Sequence, residues 1–593
     1  MDKSRDGQVI RTLYRDSVIS IIIAAVAAMF GMLIDGIIIS KFLGTDSMAA
    51  YGIVTPLFSI MTAISGVFAT GSQVFCAKHL GAGRVDRARE VFSVCMYVTF
   101  LISVGIIVFL YLFCGPITIV MGARGTAAPL MPLCKDYLYG IAPGILPVLL
   151  LFIFNSLMRL DGDPNRVIWA VAAMTVFDIA GDLVNALVIH GGMLGMGIST
   201  AISYYIAIII MLMHFRKKDI IFRFSMKDVH LADLGGILQT GAATAVGSVS
   251  TMLRNLILNN IMVAVAASTA VAALSVRNTL NTLFGSIMMG VGMTTAMISG
   301  IVYGEEDKHS AEHLLSISMR YALIIGGIQA VGIFLFASPL VALFSSGKED
   351  AEIMAAYAVR AMRFYAFGLP LYGINQVFVN YLQGISRLKL ANIVSFIDNF
   401  LYVIALSLIL TPSMKTDGIW LAYPVSEALV VLTVWLAARH EHKAFPNSAA
   451  GLLFLPDVFG APDEDIMEAA PATIEEVSAV SAELADFCRA RGATRKETLL
   501  IPLCVEEMAN NIIQHGFTGD SKKHLLELRV MKKPDAWIVR LRDNCIAFDP
   551  GKRAATFDPQ DPAKHIGIRM IYGMASDIQY VNTMQLNNLI IKI

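Results

Sequence analysis

The stretch Gly31–Arg89 decides how this chain is read: it opens GMLIDGIIISKFLGTDSMAAYG, continues through apolar residues and closes AKHLGAGRVDRAR. Asp35 stands near the end of an apolar run that begins around Val18. An ionisable side chain at membrane depth costs at least ~2.5–3.5 kcal/mol, so by default it marks function. The alternative is a carboxylate at a helix end that reaches interfacial water. The glycine-rich, basic connection Gly81-Ala82-Gly83-Arg84 then closes the stretch.

Working outward, the whole chain has this apolar character. Of its 593 residues 56% are hydrophobic and only 16% charged, with mean hydropathy +0.65. A chain this apolar has the bilayer as its solvent. Its formal net charge of zero argues against a nucleic-acid partner. Cys76, Cys95, Cys114, Cys134, Cys488, Cys504 and Cys545 fall at no metal-ligand spacing and read as small buried residues. The first apolar run is too long for a signal-peptide core and reads as a retained span. No G-x-x-x-x-G-K-[ST] loop occurs, which argues against primary ATP-driven transport.

Runs of spanning length lie near 17–40, 51–76, 92–113, 133–156, 167–189, 193–213, 238–263, 270–300, 319–337, 357–380, 391–410 and 418–437, about twelve helices in all. Basic residues gather in alternate connections: Lys3, Arg5, Arg11 and Arg15; Lys78, Arg84, Arg87 and Arg89; Arg159 and Arg166; Arg216, Lys217, Lys218, Arg223 and Lys227. The opposite connections hold only Arg124, Lys135, Lys348 and Lys415. This bias places both termini in the cytoplasm of a multi-pass plasma-membrane protein. The spans also repeat. Leu80-Gly81 is echoed by Tyr303-Gly304 about 223 residues on, Asp161–Pro164 by Gln383–Ser386, and Gly195 by Gly418. The expected fold is therefore an α-helical polytopic bundle, residues 1–440, of two six-helix lobes at about 10–220 and 228–440. A cargo site is expected near the midplane between them.

Asp35–Arg89, the turn Arg159-Leu-Asp-Gly-Asp-Pro-Asn165 and the run Gly192-Met-Leu-Gly-Met-Gly-Ile-Ser-Thr200 resemble the MATE family over roughly residues 10–440. The resemblance implies a secondary antiporter that exports drugs or organic cations against H+ or Na+, with no cofactor for transport. The family's coupling network would fall on Asp35, Asp178, Asp182 and Thr200, with Asp178 standing where the family has Asn. Asp178 and Asp182, at i and i+4, share one helix face. Two carboxylates in one low-dielectric site cannot both ionise cheaply, which suits proton exchange; clustered carboxylates also suit sodium. Residues 237–304 contain no Asp or Glu but carry Arg254 and Arg277, and Asp398 would pair with one of these or cap a helix. The 31 methionines suit an adaptable apolar cavity but name no cargo.

After Arg439 the composition becomes that of a linker, 441–470, and then of a soluble α/β domain, 471–593. Helices are expected at Ile474–Arg491 and Leu499–Gln514, and strands at Leu525–Met531, Trp537–Arg542 and Asn588–Ile593. Glu507-x-x-x-Asn511 followed by His515-Gly516, the run Arg542–Pro550 and His565-Ile-Gly567-Ile resemble the GHKL-type ATP-binding domain in its anti-sigma-factor serine-kinase branch. That resemblance implies an α/β sandwich of the Bergerat type and Mg-ATP as ligand. Asn511 would hold Mg²⁺, Glu507 would be the base, Asp543 would meet the adenine amino group, and Gly567 would lie by the phosphates at a helix N-terminus. Cys545, Ala547 and His565 replace family glycines, which weakens any nucleotide chemistry. Two functions follow. One is an exporter in the bilayer whose cytoplasmic domain regulates it. The other is a membrane sensor whose C-terminal domain binds or phosphorylates a cytoplasmic regulatory protein.

Overall fold

The computed structural model describes residues 7–217, 220–342, 351–443, 445–456, 458–518, 523–554 and 566–593. Lys3, Arg5, Lys218, Lys348 and His565 lie outside them. Six helical runs come first: α1 (Gln8–Leu43), α2 (Thr45–Gly81), α3 (Val85–Met121), α4 (Ala128–Leu160), α5 (Pro164–Ile189) and α6 (Gly192–Arg216). The second set is α7 (Leu234–Gly304), α8 (Lys308–Ala342), α9 (Ala351–Gly384), α10 (Leu388–Met414) and α11 (Thr416–His442).

The run α7 is 71 residues long and is two spans rather than one. On a straight helix Arg254 and Arg277 would stand about 35 Å apart. Both guanidinium carbons instead lie over the ring of Tyr423, at 5.6 and 3.6 Å. The run therefore doubles back between them, which gives six spans per lobe. By length and apolar composition 10 helices qualify as spans among the described residues. The first arm of α7 and the whole of α9 fall short because they carry Arg254, Asn255, Asn259 and Asn260, and Arg360, Arg363, Asn375 and Asn380.

The internal repeat is a structural one. A Cβ on Gly81 would strike the carbonyl of Ile301, and a Cβ on Gly304 would strike the carbonyl of Lys78. With a repeat offset of 223 these two contacts are images of each other, as across a two-fold interface. The kinks repeat too: Phe113 (φ −116°) precedes Pro116 in α3, and Phe336 (φ −101°) precedes Pro339 in α8.

The C-terminal domain is an antiparallel sheet in the order β1-β2-β3-β5-β4. Its strands are β1 (Ile466–Ala469), β2 (Leu526–Lys533), β3 (Ala536–Asp543), β4 (Asp577–Thr583) and β5 (Leu586–Lys592). Helices α12 (Ile474–Ala490), α13 (Arg495–Gly516) and α14 (Ile566–Met574) cover one face. A capping box between Thr494 and Glu497 starts α13 four residues before the expected Leu499. Leu528, Val530, Trp537, Val539, Leu541, Leu589 and Ile591 join the helices in one core. Strand alternation sends Arg529, Arg540, Arg542 and Asn588 to the other face. Strand β1 falls inside the stretch read as linker, and β4 went unread; both are edge strands. This sheet, the start of α1 and the connections 81–84, 160–163, 304–307 and 384–387 occupy one end of the bundle, the domain side; Val9 N–H, for example, donates to Glu527 at 3.3 Å.

Candidate functional site

In the first lobe α1 and α5 bring Asp35, Asp178 and Asp182 together, with one oxygen of each within 4.8 Å of the others. All three side chains are buried, and Asp182 is 0% exposed. Among the described residues neither Asp182 oxygen, nor Oδ1 of Asp35 or Asp178, has a hydrogen-bond partner. Gly181 makes the close approach of α6 feasible, since a Cβ there would run into the Ser199 hydroxyl. Ser199 Oγ donates to the Asp178 carbonyl at 3.3 Å, and the Thr200 and Ser203 hydroxyls stand beside the Asp178 carboxylate. The four residues expected to act together are thus brought together.

Two features of this site were not expected. The π-helical turns Ile39–Leu43 and Asn185–Ile189 follow directly on the carboxylate-bearing turns, and such bulges recur at functional sites. An aromatic wall of Tyr51, Phe58 and Tyr137 adjoins the cluster, with Tyr51 and Tyr137 edge to face at 5.5 Å. Tyr51 lies within electrostatic reach of all three carboxylates. Tyrosines scattered through apolar runs carry no sequence signal that separates this wall from ordinary packing.

The second lobe holds a different set. Asp398 lies in a third π turn, Ile397–Leu401, and is buried. It neither caps a helix nor forms an ion pair with Arg254 or Arg277 among the described residues. Asn375 Nδ2 donates to it at 3.5 Å and to Glu427 at 2.7 Å. Glu427 was missed, although it sits in an apolar run and the rule that picks out Asp35 would have found it. A cavity of about 150 Å³ beside this group is lined by Arg254, Arg277, Tyr365, Tyr372, Tyr423 and Glu427, among others. Among the described residues the hydroxyls of Tyr365 and Tyr423 and Nε of Arg254 are buried there without a hydrogen-bond partner.

In the sheet domain Glu507 and Asn511 lie one turn apart on α13, and the Asn511 amide donates to the Glu507 carbonyl at 2.7 Å. Gly567, at the start of α14, lies against the Glu507 carboxylate, which a Cβ there would displace. Asp543 ends β3 on the helix-covered face, where its Oδ1 accepts from Cys545 N (2.9 Å) and Asn587 Nδ2 (2.7 Å). The Cys545 side chain turns onto Gly516, which has no room for a Cβ. The four residues expected at a nucleotide thus border one region of the helix-covered face, and their donor and acceptor chemistry fits a magnesium nucleotide.

Two pseudo-symmetric six-helix lobes with buried carboxylates, joined to a sheet domain, are the architecture of a secondary transporter carrying a soluble module. Residues 20–184 and 243–409 match the family MatE, and residues 470–593 match the histidine kinase-like ATPase domain. The chain belongs to the MatE family and carries a C-terminal histidine kinase-like ATPase domain. The probable multidrug resistance protein YoeA of Bacillus subtilis is 20% identical over 430 residues, 70% of this chain and 91% of that protein. A FAD transporter of Shewanella oneidensis is 22% identical over 67% of this chain and 87% of its own length. The fold is similar to that of a multidrug resistance MATE transporter solved in an outward-facing conformation, with TM-score 0.67 and 20% identity over 73% of this chain and 96% of that one.

Proposed function

We propose that the protein is a secondary antiporter of the cell membrane that exports organic cations in exchange for H+ or Na+, with the domain side in the cytoplasm. The observation that carries this is the triad Asp35–Asp178–Asp182, with Asp182 fully buried and its oxygens unbonded among the described residues. A carboxylate group so placed is neutralised by a proton or a cation, or it does not stay buried. Tyr51, Phe58 and Tyr137 give an organic cation an aromatic surface next to that negative charge. The test is uptake of a fluorescent organic cation into vesicles holding the reconstituted full chain. Uptake is expected only with an imposed proton or sodium gradient, and uptake indifferent to both gradients would sink the antiporter reading.

A second reading of the cargo is favoured by the cavity in the other lobe. Two guanidiniums stacked on tyrosine, with unpartnered phenol hydroxyls beside them, suit an anionic aromatic molecule. The relative named as a FAD transporter handles a molecule of that class. Arg277→Gln is expected to leave uptake of a cationic dye nearly intact and to cut inhibition by an anionic flavin at least about tenfold, the ~1.4 kcal/mol or more held in a charged hydrogen bond. Equal inhibition of both proteins would remove the anionic reading.

The sheet domain is proposed to bind Mg-ATP and to regulate the bundle, a cytoplasmic regulatory protein being its further partner. Asp543 would take the adenine, Asn511 the Mg²⁺, and Gly567 would leave room for phosphate; Glu507 would be the base of any phosphoryl transfer. Binding to the full-length protein is expected between micromolar and millimolar, about −8 to −4 kcal/mol. Asp543→Ala should weaken it by about 1–3 kcal/mol. Asn511→Ala should instead remove the magnesium dependence, and Glu507→Gln should leave binding in place. Titration with a fluorescent ATP analogue reads all three. No binding at several millimolar would leave the domain as a docking module alone.

A further inference from the structure

Among the described residues the apolar contact between the lobes belongs to their domain-side half. A single apolar core on the domain side draws residues from both lobes, such as Leu80, Phe154, Ile301 and Val377, and also Val581, Met584 and Leu586 of the sheet domain. Towards the far side the core divides into one cluster within the first lobe and two within the second. Polar ties between the lobes lie on the domain side as well: Tyr14 OH donates to the Val291 carbonyl (3.2 Å) and Lys78 Nζ to Ser386 Oγ (3.3 Å). This arrangement is closed on the domain side.

The sheet domain sits across that closure and grips both lobes. On the first lobe the β4–β5 turn binds a helix end. Thr583 Oγ1 and Met584 N donate to the Leu160 carbonyl at 2.7 and 2.9 Å, and Gln585 Nε2 donates to the Gly162 carbonyl at 3.3 Å. On the second lobe the arginine face of the sheet encloses the connection between α7 and α8. Arg529 and Arg540 hold Asp307 at 2.6 and 2.5 Å, Arg540 also reaches Glu305 at 3.1 Å, and Arg542 pairs with Glu305. Asn588 donates to Glu305 at 2.9 Å, and Lys533 to Glu306 at 2.6 Å. All five residues of the central network are buried: Arg529, Arg540, Arg542, Glu305 and Asp307. Glu306 takes φ 55° where its repeat mate is Gly83 at φ 75°, a conformation costing a side-chain-bearing residue about 1–2 kcal/mol.

The geometry points to an intramolecular clamp: the ATPase-like domain, holding Leu160–Gly162 with its β4–β5 turn and Glu305–Asp307 with its arginine face, keeps the bundle closed on the domain side. A hydrogen-bonded sheet does not stretch, so the lobes separate there only when one of the two grips lets go. The grips are unequal. The second-lobe grip is a buried ion network, and the preceding chain is fastened to that lobe too: Tyr381 OH donates to the Leu453 carbonyl (2.9 Å) and Arg387 Nε to the Phe454 carbonyl (2.8 Å). The first-lobe grip is a set of separate hydrogen bonds, the three of the β4–β5 turn with Val9 N to Glu527 and Lys523 Nζ to Gln8 Oε1 at the start of α1, together with Met584. Among the described residues it holds no buried ion network, and it is the one that releases. This deepens the antiporter reading, since domain-side opening is the step at which an exporter loads its cargo.

The experiment measures distance between spin labels at Arg216 in the first lobe and Lys389 in the second, in the full-length protein with the half-buried Cys545 replaced by Ser. One short distance is expected for the intact protein. Met584→Asp, which puts a charge into the first-lobe grip, should add a second, longer population and raise transport severalfold. Arg540→Glu with Arg542→Glu should do the same, and adding Glu305→Arg with Asp307→Arg should restore the single short distance. A single distance in both the Met584→Asp and the double-arginine proteins, with faster hydrogen exchange of the β4–β5 turn in the first and of the β2 and β3 amides in the second reporting release, would overturn the clamp. The distances do not depend on the cargo, so absence of transport with a shifted distance would count against the antiporter reading and not against the clamp.

Discussion

Asparagine at Asp182 or at Asp35 is expected to reduce ion-driven uptake to the level of empty vesicles while leaving membrane insertion unchanged. An amide of the same shape fills the same buried space but neither exchanges a proton nor neutralises sodium. The polar neighbours of Asp182 are the Ser199 hydroxyl and Asp35. An amide of the same shape offers an oxygen to the first and a donor to the second, so the packing of α1, α5 and α6 is kept when the charge is removed. Asp178→Asn is expected to be mild. Asp178 rests beside the Thr200 and Ser203 hydroxyls, which an amide oxygen also accepts from, and Asn is the residue the family usually has there. Uptake under proton and sodium gradients, measured for the three variants at equal reconstituted amounts, reads the order. Normal uptake in both Asp35→Asn and Asp182→Asn would eliminate coupling at this site.

Asp35, Asp178 and Asp182 were legible because a charge in an apolar run is conspicuous and i, i+4 spacing fixes a shared face. Their convergence is tertiary, and only the resemblance supplied it. The twelve spans were legible as apolar runs, including the two arms of α7 on either side of residue 265. A purely compositional count misses two of them because polar residues on them turn into the second lobe, Asn375 on α9 being fully buried and Arg254 on the first arm of α7 lying over the Tyr423 ring. The aromatic wall of Tyr51, Phe58 and Tyr137 was not legible, since spacing along three separate stretches says nothing about who meets whom. The grip on the second lobe did leave a trace. Gly304-Glu-Glu-Asp307 is acidic on a side where the matching connection Gly81–Arg84 is basic, and strand β3 alternates Arg540 and Arg542 away from its own core. Neither oddity has a reason within its own domain. Each supplies the other's, because a charge that deep is kept only when paired.

Asp307→Asn isolates that pairing and is expected to weaken docking of the sheet domain by on the order of 3 kcal/mol, the low end for breaking one partner of a buried ion network. Asparagine is the informative replacement because Asp307 also begins α8, accepting from Ser310 N at 2.9 Å. Asn caps a helix as well as Asp does, whereas Ala would add about 1 kcal/mol of lost cap. The pH dependence gives a second signature. Burial alone would raise the Asp307 carboxyl, but Arg540, Arg529 and Arg542 hold it far below the usual range. Undocked, it would titrate near the ordinary ~3.9, so its contribution is complete above that value and is lost as the pH falls below it. Glu527 and Glu468 act in the opposite sense. Burial raises both, against Arg542 for Glu527 and reinforced by Asp307 for Glu468. Docking therefore strengthens as they take up protons, on the way down from neutrality towards the ordinary carboxylate range. Docking of the natural protein is expected to be tightest on the acid side of neutrality and to fall off below about pH 4. In Asp307→Asn the acid fall-off disappears. Hydrogen exchange of the β2 and β3 amides across pH 4–8, in the full-length protein, measures both effects. An unchanged exchange rate in Asp307→Asn at pH 7 would mean that the arginine face is held by packing and not by charge.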